Sequence, residues 1–580
     1  MKKPAPAWHL YVPKTITVLQ QGYGLKEFRR DFIAGLTVAI VALPLAMALG
    51  IASGTTPEKG LITAVVAGFL ISALGGSRFQ IGGPTGAFVV VVLDVIARHG
   101  YDGLLVATLL AGVMLIIAGL VGLGTWIKYI PQPVITGFTA GIAVIIFSTQ
   151  IKDLLGLPLA AVPGDFIAKW ALYLRELPHV SPVAAVVSVT ALLVIIVLRK
   201  FAPRAPGFLV AVAGASFAVW ALHLPLATIG SQFGSLPRGL PAPHLPPLSW
   251  MQIKAVMPSA FTIAFLAGVE SLLSAVVADG MTGRRHRSNC ELVAQGIANF
   301  ASPLFGGLPA TGAIARTATN VRSGAHSPIA GILHAAFLLI FMLLLAPLLT
   351  YVPLASLAAV LVIVAWNMSE IDRFRHLLRA PLGDRSVLVL TFLLTVLVDL
   401  TVAISVGVVL AAMLFMHRMA EAVAIRSHTP LIDRDTDDFN APRAEYTGRA
   451  ELPRGVEAFE LRGPFFFGVA NRLGDVLDRI GRPPKVFILD LEHVPLIDAT
   501  GVSALREFIE RCRRHDTAVL LAHVNPDVRS MLASMEVARD VRIEPDYDAA
   551  LSAARTMVSG TAAEVAVAEE TGISNRSSLL

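Results

Sequence analysis

Cysteine is scarce in this chain of 580 residues: there are two, Cys290 and Cys512, in unlike surroundings. That excludes a disulfide framework and a zinc site of clustered thiolates, and no metal or cofactor is expected. Charge is scarce as well. Charged residues make up 15% of the chain against 55% hydrophobic, and the mean hydropathy is +0.69, which leaves too little polar surface for a soluble protein. No Walker sequence for ATP phosphates occurs, so work driven directly by ATP is excluded. No basic stretch is interleaved with aromatics, so no nucleic-acid partner is expected. The net charge of +6 is better explained by basic loops on the cytoplasmic side of a membrane. The first apolar run begins too late for a cleaved signal peptide, and residues 1–31, with Lys2, Lys3, Lys14, Lys26, Arg29 and Arg30, read as a cytoplasmic segment with an amphipathic stretch.

Long apolar runs are what the chain has in abundance. Those at 32–51, 61–74, 104–123, 134–147, 182–198 and 207–222 make a first half, and those at 260–279, 292–305, 329–349, 354–366, 387–400 and 402–416 make a second. Pro44 should kink the first run and free a carbonyl, or serve as a packing kink. Asp399 reads as a turn residue between the last two runs. A Pro-rich, weakly charged loop covers 224–257. With a cytoplasmic N-terminus, Arg78, Lys128, Arg199 to Arg204, Arg284 to Arg287 and Arg373 to Arg385 all fall on the cytoplasmic side, as the positive-inside rule asks.

Each half also holds a run interrupted by glycine and proline. Gly82-Gly83-Pro84-Thr85-Gly86-Ala87-Phe88 opens one, and Gly306 through Arg322 contains the other. Thr311 is a fair helix cap, so the second should be a helix that begins partway across the membrane with Arg316 just over a turn inside it. Such a start aims unpaired N–H groups and the positive end of the helix dipole into the interior, where they attract anions. Thr85-Gly86-Ala87 matches Thr311-Gly312-Ala313 at an offset of 226 residues, and paired broken segments in two halves point to a transporter site near the midplane. Arg316 is then an anion partner, or else a structural ion pair or a residue snorkelling to the interface. Glu270 lies deep in the apolar helix of 260–279, where a carboxylate takes up a proton or pairs with a cation such as Arg316. It is a candidate proton carrier, with a neutral, hydrogen-bonded core acid as the alternative.

With these residues in view, the chain resembles the SulP family of sulfate permease and prestin-like anion transporters. The resemblance rests on Ala39 through Ala48, Gly76-Ser77-Arg78-Phe79, Gln150-Ile151-Lys152-Asp153, Glu270-Ser271-Leu272-Leu273 with Asp279-Gly280-Met281-Thr282-Gly283, Ala313-Ile314-Ala315-Arg316 and Ala365 through Glu370. It implies a polytopic α-helical membrane protein of about 14 spans, a 7+7 inverted repeat forming core and gate domains, with the repeats at 32–223 and 258–418. It implies no enzyme but secondary active transport by alternating access. It places the anion at Pro84, Thr85, Gly86, Ala87, Phe88, Ala313, Ala315 and Arg316, with Leu45 and Glu270 lining the site. Where many members carry glutamine after the first-helix proline this chain has Leu45, which loses a polar lining group. That agrees with a C4-dicarboxylate such as succinate, taken up with a proton, ahead of sulfate or bicarbonate. The other partners implied are the bilayer of a bacterial inner membrane and a second copy in a homodimer.

After a linker at 419–455 the pattern changes to soluble α/β. Residues 456–461, 486–491 and 518–522 read as strands and 471–480 and 501–513 as helices. Ile488 through Val502 resembles a STAS domain, spanning 456–558 here, which implies a cytoplasmic regulatory partner. Ala499 stands where phosphorylated STAS relatives carry serine. Asp498 and Thr500 should cap the helix that follows and are candidates for a regulatory-ligand site. A tail at 559–580 is small and polar. The rival to a carrier is a membrane-anchored STAS scaffold, and a channel-like anion path is a third option.

Overall fold

Backbone polar groups in a bilayer must be satisfied within the chain, so apolar runs of this length fold as helices. The computed structural model describes residues 8–125, 131–159, 162–202, 205–237, 239–398, 400–422, 424–427, 452–466, 483–539 and 541–559. Asp399, residues 428–451 of the linker expected at 419–455, the helix expected at 471–480 and the tail from 560 lie outside them, while the start of that expected linker is regular structure, the end of a helix at Ala422 and the strand Ala424–Ser427. Tertiary contacts divide the chain into two units, Met1–Ala411 and Ala412–Leu580.

Among the described residues, nine helices are long and apolar enough to cross a membrane, and Gly207–Leu222 is a shorter apolar helix. In chain order the first half holds α1 (Leu25–Ala52), α2 (Pro57–Leu74), α3 (Gly86–Val121), α4 (Gln132–Leu155), α5 (Pro182–Phe201) and α6 (Gly207–Leu222). Gly100, with φ 72° and ψ 179°, breaks α3 into two arms. Only glycine adopts that backbone at no steric cost. The second half holds α7 (Trp250–Thr282), α8 (Ser288–Leu304), α9 (Ile314–Arg322), α10 (Ile329–Leu349), α11 (Leu354–Met368), α12 (Leu382–Leu397) and α13 (Leu400–Ala422). Counting the arms of α3 separately, each half has seven segments. Helix starts differ from expectation: α1 begins at Leu25 and α7 at Trp250, because polar residues continue both helices beyond their apolar parts.

Small residues let these helices approach. A Cβ added at Gly60 on α2 would lie 1.9 Å from the Ala46 carbonyl oxygen of α1, and one at Gly112 would lie 2.5 Å from the Phe300 nitrogen of α8. Close backbone contact of this kind replaces the hydrophobic effect as the source of helix association in lipid. Two of the basic loop residues have a structural use. Arg78 bonds Gln21 Oε1 at 2.6 Å, and Arg287 bonds Thr17 Oγ1 at 3.1 Å and the Val12 carbonyl, so both hold the segment around the short helix Lys14–Gln20.

The second unit is a five-stranded sheet in the order β3 (Ala424–Ser427), β4 (Val456–Arg462), β5 (Val486–His493), β6 (Ala518–Ala522) and β7 (Arg542–Glu544), parallel except for β3. Alternation along β5 sends Phe487, Leu489 and Leu491 into one core with α14 (Ala499–Arg514) and α15 (Pro526–Ser534). Val486 and Ile488 go into a second core with the helix at 547–559.

Candidate anion site

Both broken segments are built as extended pieces that turn into helix. Gly82–Gly83 (β1) and Thr311–Gly312 (β2) pair antiparallel, Gly82 with Gly312 and Gly83 with Thr311. Because the strands run in opposite directions and each is followed by a helix, the starts of α3 and α9 are brought to one place from opposite sides.

The first cap stands where its segment was expected to turn and the second does not. Thr85 is the N-cap of α3, whereas Ala313, not Thr311, is the N-cap of α9. Thr311 is a strand residue whose hydroxyl donates to the Ala267 carbonyl at 2.8 Å. The caps are therefore 228 residues apart and the matching Thr-Gly-Ala phrases are not equivalent in space. The extra two residues of extended chain let β2 reach β1. Arg316 accordingly sits in the first turn of α9.

Neither helix start is closed by a side chain. Ala313 has no acceptor to offer. Thr85 directs its hydroxyl to Glu270 Oε2 at 3.0 Å. Phe88 N bonds the Thr85 carbonyl at 3.2 Å, but the amides of Gly86 and Ala87 at one end and of Ile314 to Arg316 at the other are left for another acceptor, and Ile314 and Ala315 are exposed. Pro84, Gly86, Ala87 and Phe88 are buried and Thr85 is half-buried. Leu45 and Phe88 belong to one apolar cluster.

Arg316 is 2% exposed. Its Nη2 donates to the Pro84 carbonyl, which crosses from one half to the other, while Nε and Nη1 are buried without a partner among the described residues. A Cβ at Gly83, whose φ is 148°, would lie 2.5 Å from Nη1, so glycine is what admits the guanidinium. No ion pair joins Arg316 to Glu270; the carboxylate is engaged by Thr85 instead, because Arg316 turns toward the strand pair. The structure brings together the residues named at 84–88 and 313–316 with Glu270. Two surface hollows, of about 530 Å³ beside Trp366 and Glu370 and about 460 Å³ beside Lys152 and Asp153, are lined by none of them.

Sequence reasoning missed the polar residues that support the broken stretches. Glu291 accepts from the backbone of Gly76 and Ser77 at 2.9 and 3.1 Å, and Gln295 donates to it at 3.0 Å. Asn299 exchanges two bonds with the backbone of Ala310 at 2.7 and 2.8 Å. Thr317 accepts from Ile81 N at 3.1 Å, Asn320 donates to Phe79 O at 2.9 Å, and Gln80 donates to Ser271 at 2.7 Å. Non-helical backbone at membrane depth needs such partners. Their signal was present: Glu291, Gln295 and Asn299 recur every four residues along an otherwise apolar helix face.

In the second unit, Asp498 is the N-cap of α14 and accepts from Gly501 N at 2.7 Å. Thr500 makes no capping bond; it lies inside the first turn, exposed, since Asp498 already holds that position.

Two sets of seven helical segments with half-helices meeting through a strand pair define the class: a polytopic membrane transporter of inverted-repeat design. The match to the sulfate permease family covers residues 28–391, a STAS domain is matched at 449–550, and the chain belongs to that family of membrane transporters. It is 42% identical over 515 residues to the putative sulfate transporter YvdB of Bacillus subtilis (strain 168), covering 88% of this chain and 94% of that one. It is 31% identical over 534 residues to the bicarbonate transporter BicA of Picosynechococcus sp., covering 90% and 93%. Its fold matches the inward-facing structure of murine Slc26a9 with a TM-score of 0.84 at 18% identity, over 96% of both chains. The transmembrane domain of a cyanobacterial BicA matches with a TM-score of 0.60 at 31% identity, over 66% of this chain and 98% of that one.

Proposed function

We propose that the chain is a secondary active carrier of a small carboxylate or other oxyanion, working by alternating access in a bacterial inner membrane with both termini cytoplasmic. The antiparallel pairing of β1 with β2 carries this reading, because it sets two uncapped helix starts and one guanidinium around the same point. The anion docks on the amides following Thr85 and Ala313, and Arg316 compensates its charge through the nitrogens that have no protein partner. Leu45 and Phe88 supply an apolar wall that suits the carbon chain of a C4-dicarboxylate such as succinate. Bicarbonate or sulfate is the second reading, favoured by the relatives YvdB, a putative sulfate transporter, and BicA, a bicarbonate transporter. The chain works as a homodimer, with the STAS domain open to a cytoplasmic regulatory partner.

Glu270 is the proposed proton carrier. Its carboxylate is one hydrogen bond from the N-cap of α3, so a charged Glu270 repels an anion on those amides and a protonated one does not. Anion and proton then bind together.

Uptake of labelled succinate into proteoliposomes, with unlabelled succinate, sulfate and bicarbonate as competitors, tests the substrate. Arg316→Ala tests the site. It should lower uptake about tenfold to a hundredfold, the equivalent of roughly 1.5–3 kcal/mol for a hydrogen bond to a charged group. Unchanged uptake would remove Arg316 from the site, and a rate that never saturates would replace the carrier with a channel.

A further inference from the structure

Open α/β sheets leave a crevice at the carboxyl ends of their parallel strands, where ligands are commonly held. In the second unit that edge gathers Asp490 and Glu492 at the end of β5 and His523 directly after β6. Asp490 pairs in register with Ala522, which places the following His523 beside it. The His523 Nδ1 and Asp490 Oδ1 atoms are 2.9 Å apart, and one donor atom from each of the three residues lies within 4.8 Å of the others. The Asp490 side chain is 5% exposed and that of Glu492 is 55% exposed, so the group has a buried floor and a side open to water. Both loops are braced. Glu492 N donates to Asp490 Oδ1 at 3.1 Å, and Asn525 ties its loop to the Val494 carbonyl at 2.7 Å while capping α15 through Val528 N at 2.8 Å.

We propose that Asp490, Glu492 and His523 form a site for a divalent first-row transition ion, with water completing its coordination. Two ligand atoms at a right angle around an ion with bonds of about 2.1 Å are separated by about 3.0 Å, so the imidazole and carboxylate already stand at ligand spacing. The ion takes the place of the proton they now share. One imidazole with two carboxylates suits zinc, manganese or nickel; the absence of a thiolate disfavours copper(I), and the imidazole disfavours calcium and magnesium. The neighbouring His493 is held chiefly by Glu460, which its Nδ1 bonds at 2.9 Å, and stands farther, 3.9 Å, from Glu492 Oε2. No sequence motif announces the site, since its ligands come from two strand ends that only sheet pairing brings together.

The test uses the full-length chain with a tag free of histidine, stripped by a chelator and titrated with zinc, manganese or nickel chloride alone. Calorimetry should show one saturable site per chain for at least one ion, and the melting temperature should rise at saturation. Asp490→Asn and His523→Gln should weaken binding about tenfold or more, and Glu492→Gln about threefold or more. Glu492 is exposed, so its variant folds and decides the question even if the other two do not. Absence of saturable binding of all three ions overturns the proposal. So does a Glu492→Gln titration that superimposes on the wild type.

Discussion

A buried guanidinium held by a single carbonyl leaves donors unused, and that shortfall is the observation that supports the proposed role of Arg316 in holding an anion. Glu270 is different, because its partner Thr85 is satisfied whether the carboxyl is charged or neutral. Glu270→Gln keeps a side chain of the same shape and removes the proton. Uptake by the wild type should therefore rise with an inward proton gradient, and uptake by Glu270→Gln should ignore the gradient; a wild type indifferent to it would eliminate proton coupling. In the soluble unit, burial pushes the Cys512 thiol up to about 12, against a small opposing pull from Arg511. A thiol with a raised folded value stabilises the fold fully below its ordinary value near 9, and that contribution is lost as pH climbs from there toward 12. Iodoacetamide at pH 8 should accordingly leave Cys512 unmodified in the folded chain and alkylate it once the chain is unfolded.

At the level of elements, the decisive feature is a pair of helix starts without caps. A cap would stabilise each helix and withdraw the amides that an anion needs. Ala313→Ser supplies one. It should raise stability by about 0.5–2 kcal/mol while raising the apparent KM for the anion. A higher melting temperature with an unchanged KM would mean that the amides of α9 take no part in binding. This trade was invisible in sequence. Thr311 looked like the cap because it precedes a helical stretch, yet pairing with β1 takes it into a strand.

Among the described residues, the membrane core and the two cores of the STAS domain share no residue, so each unit should melt on its own. Leu505 is 1% exposed in the core under α14. Leu505→Ala should cost about 2–5 kcal/mol and lower one calorimetric transition of the full chain, leaving the other in place. A single transition that moves as a whole would show the units to be coupled.

The sequence by itself determined that this chain crosses a membrane many times, that its two halves each hold a broken helix, and that a soluble α/β domain follows. Those features are written locally, in apolar runs, in glycine and proline, and in the alternation of strands such as Val486–His493. Tertiary structure decided the rest: which residue begins each half-helix, that Arg316 reaches Pro84 and not Glu270, and that Asp490, Glu492 and His523 stand together. Each of these depends on partners far apart in the chain, and a hydrogen bond to a distant strand outweighs the local preference that a sequence displays.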